Sequence, residues 1–147
     1  MLQKKLLDAP ILYLSSYILK NKNDYYNLLQ KTRITAKYEP WILYILDGII
    51  ETAKNALHRS KAIKDLLDLT AREVKLKCPK IYSKDLLELI FENPYSKIDF
   101  LVKKLDINRK TASKYLKELE REKFLLQMKA GKEVLYINTK LMKILEN

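Results

Sequence analysis

Four side chains in the stretch INRKTASKYLKEL, residues 107–119, are suited to binding a polyanion. They are Arg109, Lys110, Ser113 and Lys114, and their spacing would place them together on one side of a helix. In helix pairs that bind DNA, the N-terminal residues of the second helix contact base edges in the major groove. Arginine can also donate a forked pair of hydrogen bonds to guanine O6 and N7. We therefore expect these four side chains to face the groove and Lys117 to lie nearer the backbone, unless the helix face is simply solvated.

Further lysines flank this stretch where the phosphates of a bound duplex would pass. Lys103 and Lys104 precede it, and Lys129 and Lys132 follow it. The net charge of +11 and the pI of about 9.6 also favour a polyanionic partner. The far end of the same predicted helix carries three acidic residues, Glu118, Glu120 and Glu122. This mixed charge leaves a second interpretation open, in which the module dimerises or docks onto a protein.

The elements that must position these side chains follow one another in residues 79–147. An amphipathic helix in YSKDLLELIFEN is capped by Ser83 and ends at Asn93-Pro94, and a second helix lies in SKIDFLVKKLDI. Asn108 caps the third, whose Ala112, Tyr115, Leu116 and Leu119 point inward. FLLQMKAGKEVLYIN predicts a two-stranded hairpin around Ala130-Gly131-Lys132, and TKLMKIL a short terminal helix. The pattern is typical of a winged helix-turn-helix domain.

Residues 1–78 follow a helical period instead. Asp8 and Pro10 mark a helix start, and Ile11, Leu14 and Ile18 form an apolar stripe after it. Asn21 and Asn23 end that helix and cap the next. Glu39 and Pro40 then open a long third helix, which either continues or kinks into residues 61–77. We place the domain boundary at Pro79, and the fold class is mainly α with one small β-hairpin.

The sequence shows no pattern of catalytic residues. The one histidine, His58, has no second histidine or cysteine at metal-ligand spacing, and two glycines in 147 residues cannot form a phosphate-binding loop. The single cysteine, Cys78, is more typical of a small core residue than of a nucleophile. No run approaches the roughly 18 apolar residues of a membrane span. We expect a cytoplasmic protein with no cofactor and no membrane partner.

Two blocks of the sequence resemble the Fic family (filamentation induced by cAMP). LLDAPILYLSSYILKNKNDYYNLLQKTR and YEPWILYILDGIIETA are similar to the segment that follows the catalytic motif in that family. LIFENPYSKIDFLVKKLDINRKTASKYLKELE, followed by a wing and LYIN, resembles the winged-helix tail of many bacterial members. The resemblance implies a family whose members transfer AMP from ATP to a side-chain hydroxyl of a target protein.

The resemblance also shows what these 147 residues lack. Their family's catalytic loop reads HPFxxGNGR and its self-inhibiting motif [ST]xxxE[GN]; neither occurs here, so no catalytic residue is carried over and we expect no enzyme activity. The chain then resembles a C-terminal portion: a remnant, a split product or a shortened expression product. We expect the early helices, with their apolar faces, to bind a separate Fic catalytic core or a second copy.

Relatives often place a glycine after the third helix of the winged domain. This chain has Glu122-Lys123-Phe124 there. A lysine tolerates a positive φ poorly, so we expect a different C-terminal cap at that helix.

Overall fold

The computed structural model describes residues 14–131 and 133–146. The structure is mainly helical with one small antiparallel sheet, as the sequence predicts. The helices are α1 (Leu14–Lys20), α2 (Lys22–Thr35), α3 (Glu39–Lys77), α4 (Lys84–Glu92), α5 (Ile98–Leu105), α6 (Arg109–Arg121) and α7 (Thr139–Glu146). The strands are β1 (Tyr95–Ser96), β2 (Leu126–Ala130) and β3 (Glu133–Ile137). The predicted helix start at Asp8 and Pro10, residue Ile11 of the apolar stripe and Lys132 of the wing lie outside the described residues.

The long third helix begins at Glu39, as predicted, and of the two alternatives for residues 61–77 the structure has the continuous one. The chain nevertheless divides into two compact units, one ending at Ser60 and the other beginning at Lys61. The predicted boundary at Pro79 differs from this division and stays a prediction. It has a physical difficulty, because Val74 and Cys78 are fully buried in the same apolar core as the later helices.

In the first unit, tyrosine rings hold α1, α2 and the start of α3 together. The ring centroids of Tyr17 and Tyr44 lie 5.2 Å apart, and those of Tyr25 and Tyr44 lie 6.2 Å apart. The Tyr44 hydroxyl donates a hydrogen bond to the Asn21 carbonyl oxygen at 3.3 Å. Gly48 permits this packing, because a Cβ atom there would come within 2.6 Å of the Tyr17 ring. Tyr17, Tyr25 and Tyr44 thus pack the helices of the first unit together, whereas Tyr26 is exposed.

In the second unit, the helix caps lie where the sequence places them. The Ser83 hydroxyl accepts a hydrogen bond from the Leu86 N–H at 3.1 Å, and α4 ends at Glu92, next to Asn93-Pro94. Helices α4, α5 and α6 enclose a core with the end of α3. The buried core side chains include Val74, Leu86, Leu87, Ile90, Leu101, Ala112, Leu116, Leu119 and Tyr136.

The sheet has the order β1-β3-β2, and both pairings are antiparallel. Leu126 pairs with Ile137 and Ala130 with Glu133, so β2 and β3 form an antiparallel hairpin. Gly131 has φ +62°, a conformation that glycine adopts without strain. The order of three helices, a hairpin and a short terminal helix is the one that the sequence predicts, whereas strand β1 between α4 and α5 was not predicted and makes the sheet three-stranded. No helix in the described ranges is long and apolar enough to cross a membrane.

The expectation of a different cap after α6 is wrong. Lys123 adopts a left-handed backbone with φ 62°, the conformation that glycine would adopt. Its N–H donates to the Glu120 carbonyl oxygen at 2.9 Å, and the Phe124 N–H donates to the Leu119 carbonyl oxygen at 2.9 Å. These two bonds form the usual Schellman cap. Leu119 and Phe124, the residues joined by the second bond, are both buried, as the hydrophobic contact that often accompanies this cap requires.

Candidate nucleic-acid interface

Helix α6 is amphipathic, and its burial pattern determines which side chains face outward. Ala112, Leu116 and Leu119 are buried, at three- and four-residue steps, whereas Tyr115 is half-buried. The Asn108 side chain accepts a hydrogen bond from the Thr111 N–H at 2.8 Å and so defines the helix start. Arg109 and Lys110 are therefore the first two residues of the helix.

Three lysines of α6 lie on its exposed side. Lys110, Lys114 and Lys117 are exposed, and Ser113 is half-buried between them. They line an open concavity along the helix together with Thr111, Glu118 and Arg121. None of the three lysines forms an ion pair with another residue that the structure describes. Their charges are available to an external anion.

Arg109 has a protein partner. Its Nη1 atom lies 2.5 Å from Oδ1 of Asp99, which belongs to the first turn of α5. Both side chains are largely exposed, at 72% for Arg109 and 62% for Asp99. The ion pair joins the starts of the two helices across the turn. Sequence reasoning found Arg109 and missed Asp99, because a contact between residues ten positions apart depends on the angle between the helices.

The two lysines predicted on α5 differ in their surroundings. Lys104 forms an ion pair with Glu92 at the end of α4, and Lys103 is exposed. A bound phosphate would have to compete with Glu92 for Lys104, whereas Lys103 has no ion-pair partner in residues 14–131 and 133–146. Of the two, Lys103 is the better placed to contact a phosphate.

In the wing, Lys129 is exposed on the edge strand β2. A further cation links the wing to the helix pair: Nζ of Lys97, at the start of α5, lies 2.5 Å from Oε2 of Glu133 in β3. This hydrogen bond raises the pKa of the Lys97 ammonium above its usual value. Sequence reasoning did not identify this pair either, since 36 residues separate its members.

His58 and Cys78, the residues best suited to catalysis or metal binding, do not form such a site in the described part of the chain. His58 is exposed on α3. Cys78 is fully buried, and burial raises the pKa of its thiol, which disfavours the reactive thiolate. Among the described residues no group of three or more His, Cys, Asp or Glu side chains could hold a metal ion.

Comparison with known protein families identifies a match over the second part of the chain. Residues 66–141, slightly more than half of the chain, match the family described as protein adenylyltransferase SoFic-like, C-terminal domain. The matched range contains the end of α3, the helices α4 to α6, the whole sheet and the start of α7. It therefore includes each residue of the candidate interface.

Proposed function

Because the chain belongs to the family of C-terminal domains of SoFic-like protein adenylyltransferases, we propose that it binds double-stranded DNA through α6 as the non-catalytic portion of a Fic-type protein. The helix would enter the major groove with Arg109, Lys110, Ser113 and Lys114 toward the bases. Lys117, Lys103, Lys104 and the wing lysines, Lys129 and Lys132, would contact phosphates.

One observation carries this proposal. Lys110, Lys114 and Lys117 lie exposed on the outer side of the second helix of a helix-turn-helix, and no acidic side chain pairs with them in the described residues. An exposed ion pair contributes only about 0–1 kcal/mol to stability, so leaving these lysines unpaired costs the protein little. Each phosphate that such a cation neutralises releases counterions and strengthens binding at low salt.

The N-terminus of α6 also favours binding of DNA to this exposed side of the helix. The N–H groups of Arg109 and Lys110 have no acceptor within the helix, because they precede its first i→i−4 hydrogen bond, from the Ala112 N–H to the Asn108 carbonyl oxygen. Free N–H groups and the positive end of the helix dipole favour a phosphate at this end. The acidic residues Glu118, Glu120 and Glu122 lie at the opposite end.

The test is a duplex-binding titration at several salt concentrations. For the wild type we expect log K to fall linearly with log salt concentration, with a slope of about 0.9 for each phosphate neutralised. Replacing Lys103 and Lys117, two exposed lysines assigned to phosphates, by Gln should lower that slope by about two. Lys80→Gln with Lys140→Gln is the matched control, because it removes the same charge from exposed positions elsewhere in the unit. Equal slopes for the two double variants would contradict the proposal.

A second candidate function is supported by the first unit. Leu19, Ile34 and Leu57 are each more than 70% exposed there, which is unusual for large apolar side chains. A Fic catalytic core encoded separately would cover such a surface, and the chain would then support AMP transfer that it does not perform alone. A second copy covering the same helices would give a dimer instead.

Mixing the chain with a Fic core that carries the HPFxxGNGR loop separates these alternatives. Co-elution and ATP-dependent labelling that Ile34→Asp abolishes would favour assembly with the core. A dimer of the chain alone that the same substitution dissociates would favour self-association. Labelling by the chain alone would contradict the proposed absence of catalysis.

A further inference from the structure

We propose that Asp99 is a positioning residue that holds the guanidinium of Arg109 ready to read a guanine and weakens binding to DNA of other sequence. This inference rests on the proposed function, since it concerns the same face of α6. The observation behind it is the ion pair of 2.5 Å between Asp99 Oδ1 and Arg109 Nη1 across the turn between α5 and α6.

The pair is poorly suited to a purely stabilising role. Both side chains are more than 60% exposed, and exposed ion pairs stabilise proteins little. Its consequence for binding is geometric. An arginine side chain loses rotamer entropy when it becomes ordered, and an existing partner reduces the part that is lost on binding. The ion pair thereby orients the side chain of Arg109, the first residue of α6, before DNA binds.

The hydrogen bond to Asp99 leaves other N–H donors of the Arg109 guanidinium available for a base. The guanidinium has five N–H donors, and the hydrogen bond to Asp99 comes from Nη1. The donors on Nη2 and Nε remain for the O6 and N7 atoms of a guanine, which accept a fork of this kind. A lysine at the same position could bond the carboxylate but could not present a planar pair of donors.

The Asp99 carboxylate also weakens the part of DNA binding that does not depend on base sequence. Asp99 lies beside the basic start of α6, so its negative charge repels the phosphates that any duplex presents. The charge lowers affinity for all sequences, and the directed arginine restores affinity where a guanine is placed correctly. The difference between matched and unmatched DNA increases through both effects.

The experiment selects binding sites from a randomised duplex library with the full chain and its variants. We expect the wild type to enrich a guanine at one position and Asp99→Asn to lose that preference at least about fivefold, while binding unselected duplex more tightly. Glu92→Gln is the matched control. It removes one negative charge by breaking the exposed pair with Lys104, distant from the start of α6 in sequence, and should keep the guanine preference.

Arg109→Lys provides an independent variant that keeps the charge and removes the fork. It should lose the same preference, and combining it with Asp99→Asn should cause little further loss, because both substitutions disable one contact. Unchanged preference in Asp99→Asn, or equal loss in Glu92→Gln, would overturn the role of Asp99. A wild type that binds duplex without base preference would also overturn it. No salt-dependent binding by the wild type would instead refute the proposed function itself.

Discussion

The Phe124 N–H donates to the Leu119 carbonyl oxygen at 2.9 Å, and this bond closes α6 over Lys123, whose φ is 62°. A left-handed conformation is strained by about 1–2 kcal/mol in a residue that carries a Cβ atom. The strain is offset by the two cap hydrogen bonds and by the burial of Leu119 and Phe124. Helix α6 thus ends on a residue whose type opposes its conformation.

Lys123→Gly should stabilise the protein by about 0.5–1 kcal/mol, because glycine adopts the left-handed conformation without strain and its greater freedom in the unfolded state offsets only part of that gain. Urea unfolding followed by circular dichroism measures the change. Lys117→Gly, in the middle of the same helix, should destabilise by about 1 kcal/mol. Opposite signs for the two glycines are the expected result, and destabilisation by both would show that Lys123 is not strained.

Asn108→Ala should lower the free energy of unfolding by about 1 kcal/mol. The substitution removes the acceptor for the Thr111 N–H at the start of α6. Asn93→Ala is the control, because Asn93 is exposed and its side chain caps no helix in the described part of the chain. A similar loss in both variants, measured by urea unfolding, would mean that the cap contributes nothing specific.

Residues 61–147 should fold alone with a cooperative thermal transition, whereas residues 79–147 should not. Val74 and Cys78 are fully buried in the core that contains Leu116 and Leu119, so removing the end of α3 opens that core to water. Calorimetry of the two fragments measures the difference. A cooperative transition of equal midpoint for residues 79–147 would support the boundary at Pro79 instead.

Cys78 should react with a thiol reagent at least about a hundredfold more slowly in the native protein than in urea, since only unfolding exposes the sulfur. Comparable rates in the two states would show that the end of α3 opens readily.

The same thiol gives a pH dependence. Burial raises its pKa above the ordinary value of 9.0, so the unfolded chain ionises first as the pH rises. The contribution of the thiol to stability is complete below that value and is lost above it. Urea unfolding at increasing pH should therefore show a smaller loss of stability for Cys78→Ala than for the wild type.

Local chemistry accounts for what the sequence alone determined. Ser83 and Asn108 cap helices because a short polar side chain can accept a nearby N–H, and Pro40 fits the first turn of α3 because it lacks a donor that would be unpaired there. The spacing of Ala112, Leu116 and Leu119 likewise determined which face of α6 is buried. Each of these features depends on residues within one or two helical turns, so the order of helices and hairpin could be predicted.

Only the tertiary structure decided the rest. The conformation of Lys123 follows from the burial of its neighbours, and local propensity alone favoured another cap. The continuity of α3 to Lys77 places Val74 in the core of the second unit, which no local signal at Pro79 indicates. The partners of Arg109, Lys104 and Lys97 depend on the packing of separate elements. Sequence spacing identifies which cations α6 presents, but the approach of α5 gives Arg109 an ion-pair partner, whereas Lys110 has none among the described residues.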